Sequence, residues 1–229
     1  MIASDKLPRV SEQVKPPRQS RRDRALATRT RIARAATELF CELGYTGTKM
    51  TAVAERSGVA VQTVYFVFHT KPELLQACYE LAVLGENDPR PPHLQPWWQE
   101  MMRATSGPAT FRLFARGYGS IARRAAVLDD VVRGAMHEPE AKAVRDHSEQ
   151  LRRDGYRTVI ELVDRRFGLR RGLDQDEATD VLLALAGPAV FRTLVVDYSW
   201  PYTQYVDWLA STLIETLLSR PKRTGAAKD

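Results

Sequence analysis

Residues 48–75 read TKMTAVAERSGVAVQTVYFVFHTKPELL, and the fold turns on how that stretch is parsed. Thr48 has the side chain to cap a helix from about Lys49 to Ser57, with Met50, Val53 and Ala54 on its buried face. Gly58 ends it, because glycine enters the left-handed conformation without a Cβ penalty. Val59 and Ala60 lead into a second short helix, about Val61 to His69, where Val64 and Phe68 stand four apart and face inward. Thr70-Lys71-Pro72-Glu73 then supplies an N-cap, a first-turn proline and a capping-box acid. Leu74, Leu75, Cys78, Leu81 and Ala82 follow as the apolar stripe of a longer helix. Upstream, from about Ala25, the helical spacing of Ile32, Ala36, Leu39, Phe40 and Leu43 marks a preceding helix, closed by Gly44.

Two short helices joined by a glycine turn after a longer one make a helix-turn-helix. In that motif the second helix lies in the major groove of a DNA duplex and the first crosses the backbone. Val53, Ala54, Val59, Val64 and Phe68 hold the pair at a steep angle, so Val61, Gln62, Thr63, Tyr65 and Phe66 face outward. The Gln62 amide can pair with adenine N6 and N7. Val61 serves either a thymine methyl or the core. Phe66 leans on sugar and backbone, since an exposed aromatic there lacks another purpose. Lys49 and Thr51, on the first turn of the bracing helix, can meet phosphates. Lys71 opens a helix, where the dipole disfavours a cation, and a bound phosphate would resolve that conflict.

The run Thr48-x4-Val53-Ala54-x3-Gly58-Val59-x3-Thr63-Val64-Tyr65-x2-Phe68-x2-Lys71-x-Glu73-Leu74 resembles the DNA-binding domain of TetR-family regulators. With the lead-in Ala36-x2-Leu39-Phe40-x3-Gly44-Tyr45, the resemblance covers about Arg31 to Leu81. It departs at Val67, where an aromatic or histidine is more usual. The resemblance implies phosphate contacts from Thr63, Tyr65 and Lys71, an all-α fold, and pairing of the last two long helices across a two-fold axis. It also implies a small apolar effector enclosed by the second domain. Trp200-x4-Tyr205-x2-Trp208-Leu209 is similar to a common end pattern of the family, though less specific.

Charge agrees with a polyanionic partner. Residues 1–34 carry ten Lys and Arg against three acids, +7 in a chain whose total is +6, so the remainder is slightly acidic. The excess either binds nucleic acid or keeps a tail soluble. Residues 1–24 read as a disordered basic arm, from which Arg21, Arg22 and Arg24 would reach an adjacent minor groove.

The expected organisation is therefore the arm at 1–24, a three-helix DNA-binding domain at 25–84 and a proline-rich loop at 85–96. A helical dimerisation and effector domain at 97–219 and a flexible tail at 220–229 complete it. Within the second domain, helices are expected near 97–105, 108–124, 125–137 and 139–167, then 175–198 capped by Asp174 with Glu177, and 202–219. The last two carry broad apolar faces that serve the core, a homodimer, or both. Dimerisation would set two reading helices about 34–36 Å apart on a palindromic operator. The middle helices are rich in aromatic and Met residues: Trp97, Trp98, Met101, Met102, Phe111, Phe114, Tyr118, Tyr156 and Phe167. These, with Phe191 downstream, form either plain core or the lining of an effector pocket.

Other classes find little support. The four histidines are scattered, and no HExxH, P-loop, GxSxG or GxGxxG is present, so neither an enzyme nor a metal or cofactor is expected. Cys41 and Cys78 form no CxxC and suit a reducing compartment as small core residues or, less readily, a redox pair. No secretory signal is visible, and the Val181–Phe191 apolar run, broken by Gly187-Pro188, is short of a membrane span. The reading is a cytoplasmic, sequence-specific DNA-binding regulator, a repressor released by its effector. An activator or an effector-independent regulator would use the same contacts.

Overall fold

A computed structural model of the chain describes residues 20–85 and 90–219. Most of the expected arm, the tail from 220 and residues 86–89 of the proline-rich loop lie outside the described residues. The first helix, α1 (Arg21–Gly47), starts earlier than its apolar periodicity indicates. Ser20 Oγ accepts the Asp23 N–H at 3.1 Å, and Asp23 accepts the Ser20 N–H at 3.0 Å, a capping box built from polar residues alone. The boundary expected at 24/25 therefore falls inside α1, and Arg21, Arg22 and Arg24 stand on its first turns rather than on an arm. Gly44, at φ 73°, interrupts the helical geometry before the last turn.

After α1 come α2 (Met50–Ser57), α3 (Val61–Val67) and α4 (Lys71–Leu84). Thr48 does not cap α2. Its buried hydroxyl donates backward to the carbonyls of Leu39 at 3.1 Å and Gly44 at 2.8 Å, locking the end of α1. Thr70 does cap α4, accepting the Glu73 N–H at 3.3 Å. Glu73 closes no box with Thr70, because its carboxylate accepts the N–H of His69 instead, one residue further back.

A 3-10 turn (Pro92–Leu94) leads into α5 (Pro96–Arg103) and then α6 (Gly107–Gly134). The two helices expected at 108–124 and 125–137 are this single one. Arg123-Arg124-Ala125-Ala126 holds no breaker, and the buried face of α6 runs on from Phe111, Phe114 and Tyr118 through Ala122 and Ala126 to Val132. α7 (Pro139–Phe167) spans the expected residues, and Asp174 and Glu177 form the expected capping box at the head of α8 (Gln175–Leu185). The helix expected to run to 198 instead breaks at Gly187-Pro188, where proline removes a donor and crowds the preceding turn. A short α9 (Pro188–Phe191) continues into a π-helical stretch, Arg192–Asp197, and α10 (Tyr202–Leu217) ends the described fold. Gln175–Asp197 is long and apolar enough to cross a membrane by composition, contrary to the expectation from Val181–Phe191. In the fold it is interrupted and rests on α6 and α7. Among the described residues there is no strand, only an isolated bridge between Leu169 and Leu218.

Two cores result, and α6 belongs to both. Its first half packs Phe111, Phe114, Ala115 and Tyr118 with α5, α7, α8 and α10. Its end contributes Leu128, Val131 and Val132 to the other core, joined by Ala141 and Val144 of α7. The DNA-binding domain expected to close at residue 84 is thus completed by residues about fifty positions further on.

Candidate nucleic-acid interface

The turn between α2 and α3 is set by Gly58, at φ 64° and ψ 37°. Its N–H donates to Glu55 O at 3.1 Å and the Val59 N–H to Ala54 O at 3.0 Å, so the last carbonyls of α2 are satisfied within the turn. Any other side chain there would pay left-handed strain. α3 is then pinned by two fully buried side chains, Val64 and Phe68, against Val53 and Ala54. Arg29 of α1 lies 4.5 Å above the Phe68 ring.

The opposite face of α3 is left to solvent. Gln62 is exposed, Thr63 half-buried, Tyr65 48% exposed and Phe66 83% exposed. Val61, for which base contact and core were both open, is half-buried and packs partly on the domain core. Lys49 and Thr51 are exposed at the head of α2, as are Arg21, Arg22 and Arg24 on the first turns of α1.

Lys71 departs from its expected geometry. Its ammonium turns back to the end of α1 and donates to the carbonyls of Tyr45 at 2.9 Å and Thr48 at 3.2 Å. It also lies 4.4 Å from the Tyr45 ring centroid. In the free protein the cation at the head of α4 is thus received by carbonyls at the end of α1, of which Tyr45 O also accepts the Thr48 N–H at 3.3 Å. Partial burial pulls this ammonium below its ordinary pKa. Lys71 thus clamps α4 to α1.

Sequence reasoning missed a second clamp. Arg56 of α2 donates to both Glu42 oxygens at 2.9 Å each and to Glu38 at 3.3 Å, tying the bracing helix to α1. The guanidinium holds the Glu42 carboxyl below the usual carboxylate range. The available signal was the four-residue spacing of the two glutamates on one face of α1.

In the second domain, Trp98, Met101, Phe111, Phe114, Tyr118, Tyr156 and Phe191 are buried together, with Trp97 and Met102 half-buried at their edge. Phe114 lies 5.2 Å from Tyr156 edge-on and Phe191 lies 5.0 Å from Tyr205. The two principal surface depressions lie elsewhere. One of about 430 Å³ is lined by Arg152, Glu149, Leu183 and Ala184, among others, and one of about 570 Å³ by Trp200, Pro201, Trp208 and neighbours. None of the ten expected pocket residues lines either one.

A solvent-facing helix braced by a second, mounted on a larger helical domain, defines a two-domain helix-turn-helix regulator. Residues 32–78 match the family described as bacterial regulatory proteins, tetR family. Residues 32–78 thus carry a DNA-binding segment of the TetR type. Its fold is similar to the fatty acid degradation regulator FadR of Bacillus halodurans, with TM-score 0.68 and 16% identity over 84% of this chain and 97% of that one. It is similar to FadR of Bacillus subtilis, crystallised with stearoyl-CoA (TM-score 0.66, 15% identity, 81% and 97% covered). It is also similar to NalD of Pseudomonas aeruginosa, the secondary repressor of a multidrug efflux pump (TM-score 0.65, 19% identity, 88% and 100% covered). No curated protein sequence matches the chain.

Proposed function

We propose that this chain is a cytoplasmic repressor that binds a palindromic operator as a homodimer and is released by a small, largely apolar effector. The observation that carries the DNA reading is the division of α3, with Val64 and Phe68 sealed inward and Gln62, Tyr65 and Phe66 facing solvent with their polar and aromatic groups presented together. On a duplex, Gln62 reads a base edge and Val61 reaches a thymine methyl with its exposed part. Thr63, Tyr65, Lys49 and Thr51 donate to phosphates, Phe66 lies on the sugar-phosphate wall, and Arg21, Arg22 and Arg24 approach the neighbouring minor groove.

Dimerisation is supported by the apolar side chains that α8 and the π-helical stretch leave partly or largely exposed at the edge of the core. Val181, Leu185, Leu194 and Val195 are half-buried, Val196 is 59% exposed and Tyr198 69% exposed. Exposed apolar side chains of this kind, where they adjoin, mark an interface. The effector reading is supported by the aromatic interior of the second domain and by the stearoyl-CoA held in a protein of similar fold.

Selection of bound duplexes from a random pool, followed by footprinting, tests the proposal. A short palindrome protected by two protomers is expected. Uniform protection without a preferred sequence would replace it with a DNA-coating role.

A further inference from the structure

Four buried polar atoms among the described residues have no hydrogen-bond partner, and three of them gather in one place. They are the hydroxyls of Tyr118 and Tyr205 and the Nε–H of Arg152. Tyr118 is 6% exposed and Tyr205 fully buried. The Tyr118 ring lies 6.1 Å from that of Tyr156, over which the Arg152 guanidinium sits at 5.4 Å. Tyr156 itself is satisfied, donating to Ala186 O at 2.9 Å. Buried polar groups are almost always paired, since an orphan costs its full desolvation. The Tyr118 and Tyr205 hydroxyls stand close enough to interact with each other, so the donors left over, one phenol O–H and the Arg152 Nε–H, call for an acceptor.

Their chemistry specifies it. Burial pushes the Tyr118 and Tyr205 phenols above their ordinary pKa, so both keep their protons at neutral pH. Two O–H groups and one guanidinium N–H are donors, so the occupant supplies oxygen acceptors. The surrounding Phe114 and Phe191 rings call for an apolar remainder. Arg152 also lines a surface depression of about 430 Å³, with Asp146, Glu149, Leu183 and Ala184, within the size range of ligand sites. Glu149 pairs with the outer edge of Arg152 and leaves Nε free.

We propose that the effector is an amphipathic acid, whose carboxylate is received by Tyr118, Tyr205 and Arg152 while its apolar body lies among the aromatic rings. This rests on the effector reading above and narrows its chemistry. It also supplies a route to the dimer face. Arg152 donates to the carbonyls of Leu183 at 3.0 Å and Ala186 at 3.1 Å, at the end of α8 just before the Gly187-Pro188 break. A carboxylate drawing on Arg152 competes with those bonds and loosens the α8 end that carries the proposed dimer contacts.

Decanoate and 4-phenylbutanoate, each beside its primary alcohol, are titrated into the full chain by calorimetry and into its operator complex by anisotropy. We expect at least one acid to bind ten times or more tighter than its alcohol and to release DNA. Tyr118→Phe and Tyr205→Phe should each cost the acid about tenfold while leaving the alcohol's affinity and the unliganded melting temperature unchanged. Acid and alcohol binding alike, neither binding, or either variant losing melting temperature instead of acid affinity (a structural water in the site) overturns the proposal. Neutral apolar compounds such as naphthalene go into the same anisotropy assay. Release by these alone would leave the effector reading standing and sink only the acid. Acid binding without release would place the acid correctly and sink the effector reading.

Discussion

Phe66 and Phe68 stand two positions apart at α3, with opposite fates: 83% and 1% exposed. Truncating each to alanine separates reading from folding. Phe68→Ala removes a fully buried ring from the joint of α1, α2 and α3 and strips Arg29 of the face it covers. A buried Phe→Ala change costs about 3–5 kcal/mol, near the lower end of a whole domain's stability. Phe66→Ala removes a ring that touches little in the free protein, so its stability should change by no more than about 0.5 kcal/mol. Burying a phenylalanine completely gains about 1.5–3 kcal/mol. Contact with a sugar-phosphate wall covers part of the ring, so about 1.4 kcal/mol of binding is expected to go, tenfold in Kd. Urea denaturation followed by circular dichroism and operator titration by fluorescence anisotropy at fixed salt measure the two quantities. The reasoning is refuted if Phe66→Ala lowers the denaturation midpoint as Phe68→Ala does, or binds operator as tightly as the parent.

Lys71→Met should destabilise the first domain by about 2 kcal/mol, because it deletes a charged donor from two carbonyls at the end of α1 while keeping the side chain's bulk; a denaturation midpoint within error of the parent would contradict the clamp. Burial raises the phenol pKa of Tyr118, Tyr156 and Tyr205, so the unfolded chain releases these protons near the ordinary value of 10.0 while the folded chain retains them. Their contribution is intact below that pH and declines above it, by about 1.4 kcal/mol per phenol by pH 11. Tyrosinate absorbance should therefore rise with cooperative unfolding, and smooth titration of all eight tyrosines near pH 10 in a folded chain would count against it. Replacing Arg21, Arg22 and Arg24 by alanine should flatten the salt dependence of operator binding by about 0.9 in log–log slope for each phosphate left unneutralised; an unchanged slope shows the start of α1 to be clear of DNA. Arg124→Met removes bonds of 2.7 Å to Ala82 O and 3.3 Å to Val83 O at the end of α4, and should weaken the response of DNA binding to effector more than DNA binding itself, as read by anisotropy with and without ligand.

The DNA-binding half was legible because its signals are local. Gly58 ends one helix, Thr70 starts another, and Val64 and Phe68 share a face at a spacing only a helix provides. Where expectation failed, a distant or purely polar partner had decided. Thr48 looks like a cap from its neighbours, but Leu39 and Gly44 take its hydroxyl. Lys71 reads as an anion ligand from its neighbours, and nothing local shows that its ammonium also meets the end of α1. Ser20 and Asp23 start α1 with no apolar residue to announce it. In the second domain the aromatic and Met residues expected as core or pocket lining are mostly core, since seven of those ten side chains are buried. Their spacing could not show that Tyr118 and Tyr205 end with unpaired hydroxyls, because pairing there depends on four separate helices meeting.

On the proposed function, the continuity of α6 offers a route from effector to DNA. One end of this helix lies with Tyr118 in the core of the second domain and the other inserts Leu128, Val131 and Val132 into the first core. Tyr79 of α4 donates to Leu128 O at 3.1 Å, and Arg124 holds the last carbonyls of α4. Arg192 of the π-helical stretch pairs with Asp130 on the same helix. A shift of α6 against α8 and α9 is therefore passed to α4, and α4 is clamped to the end of α1 that α2 and α3 pack against. Packed helices of this kind move as bodies between discrete arrangements rather than bending continuously. In the proposed dimer, such a shift repeated in both protomers would change the spacing of the two α3 helices, which the half-site separation of a palindromic operator must match.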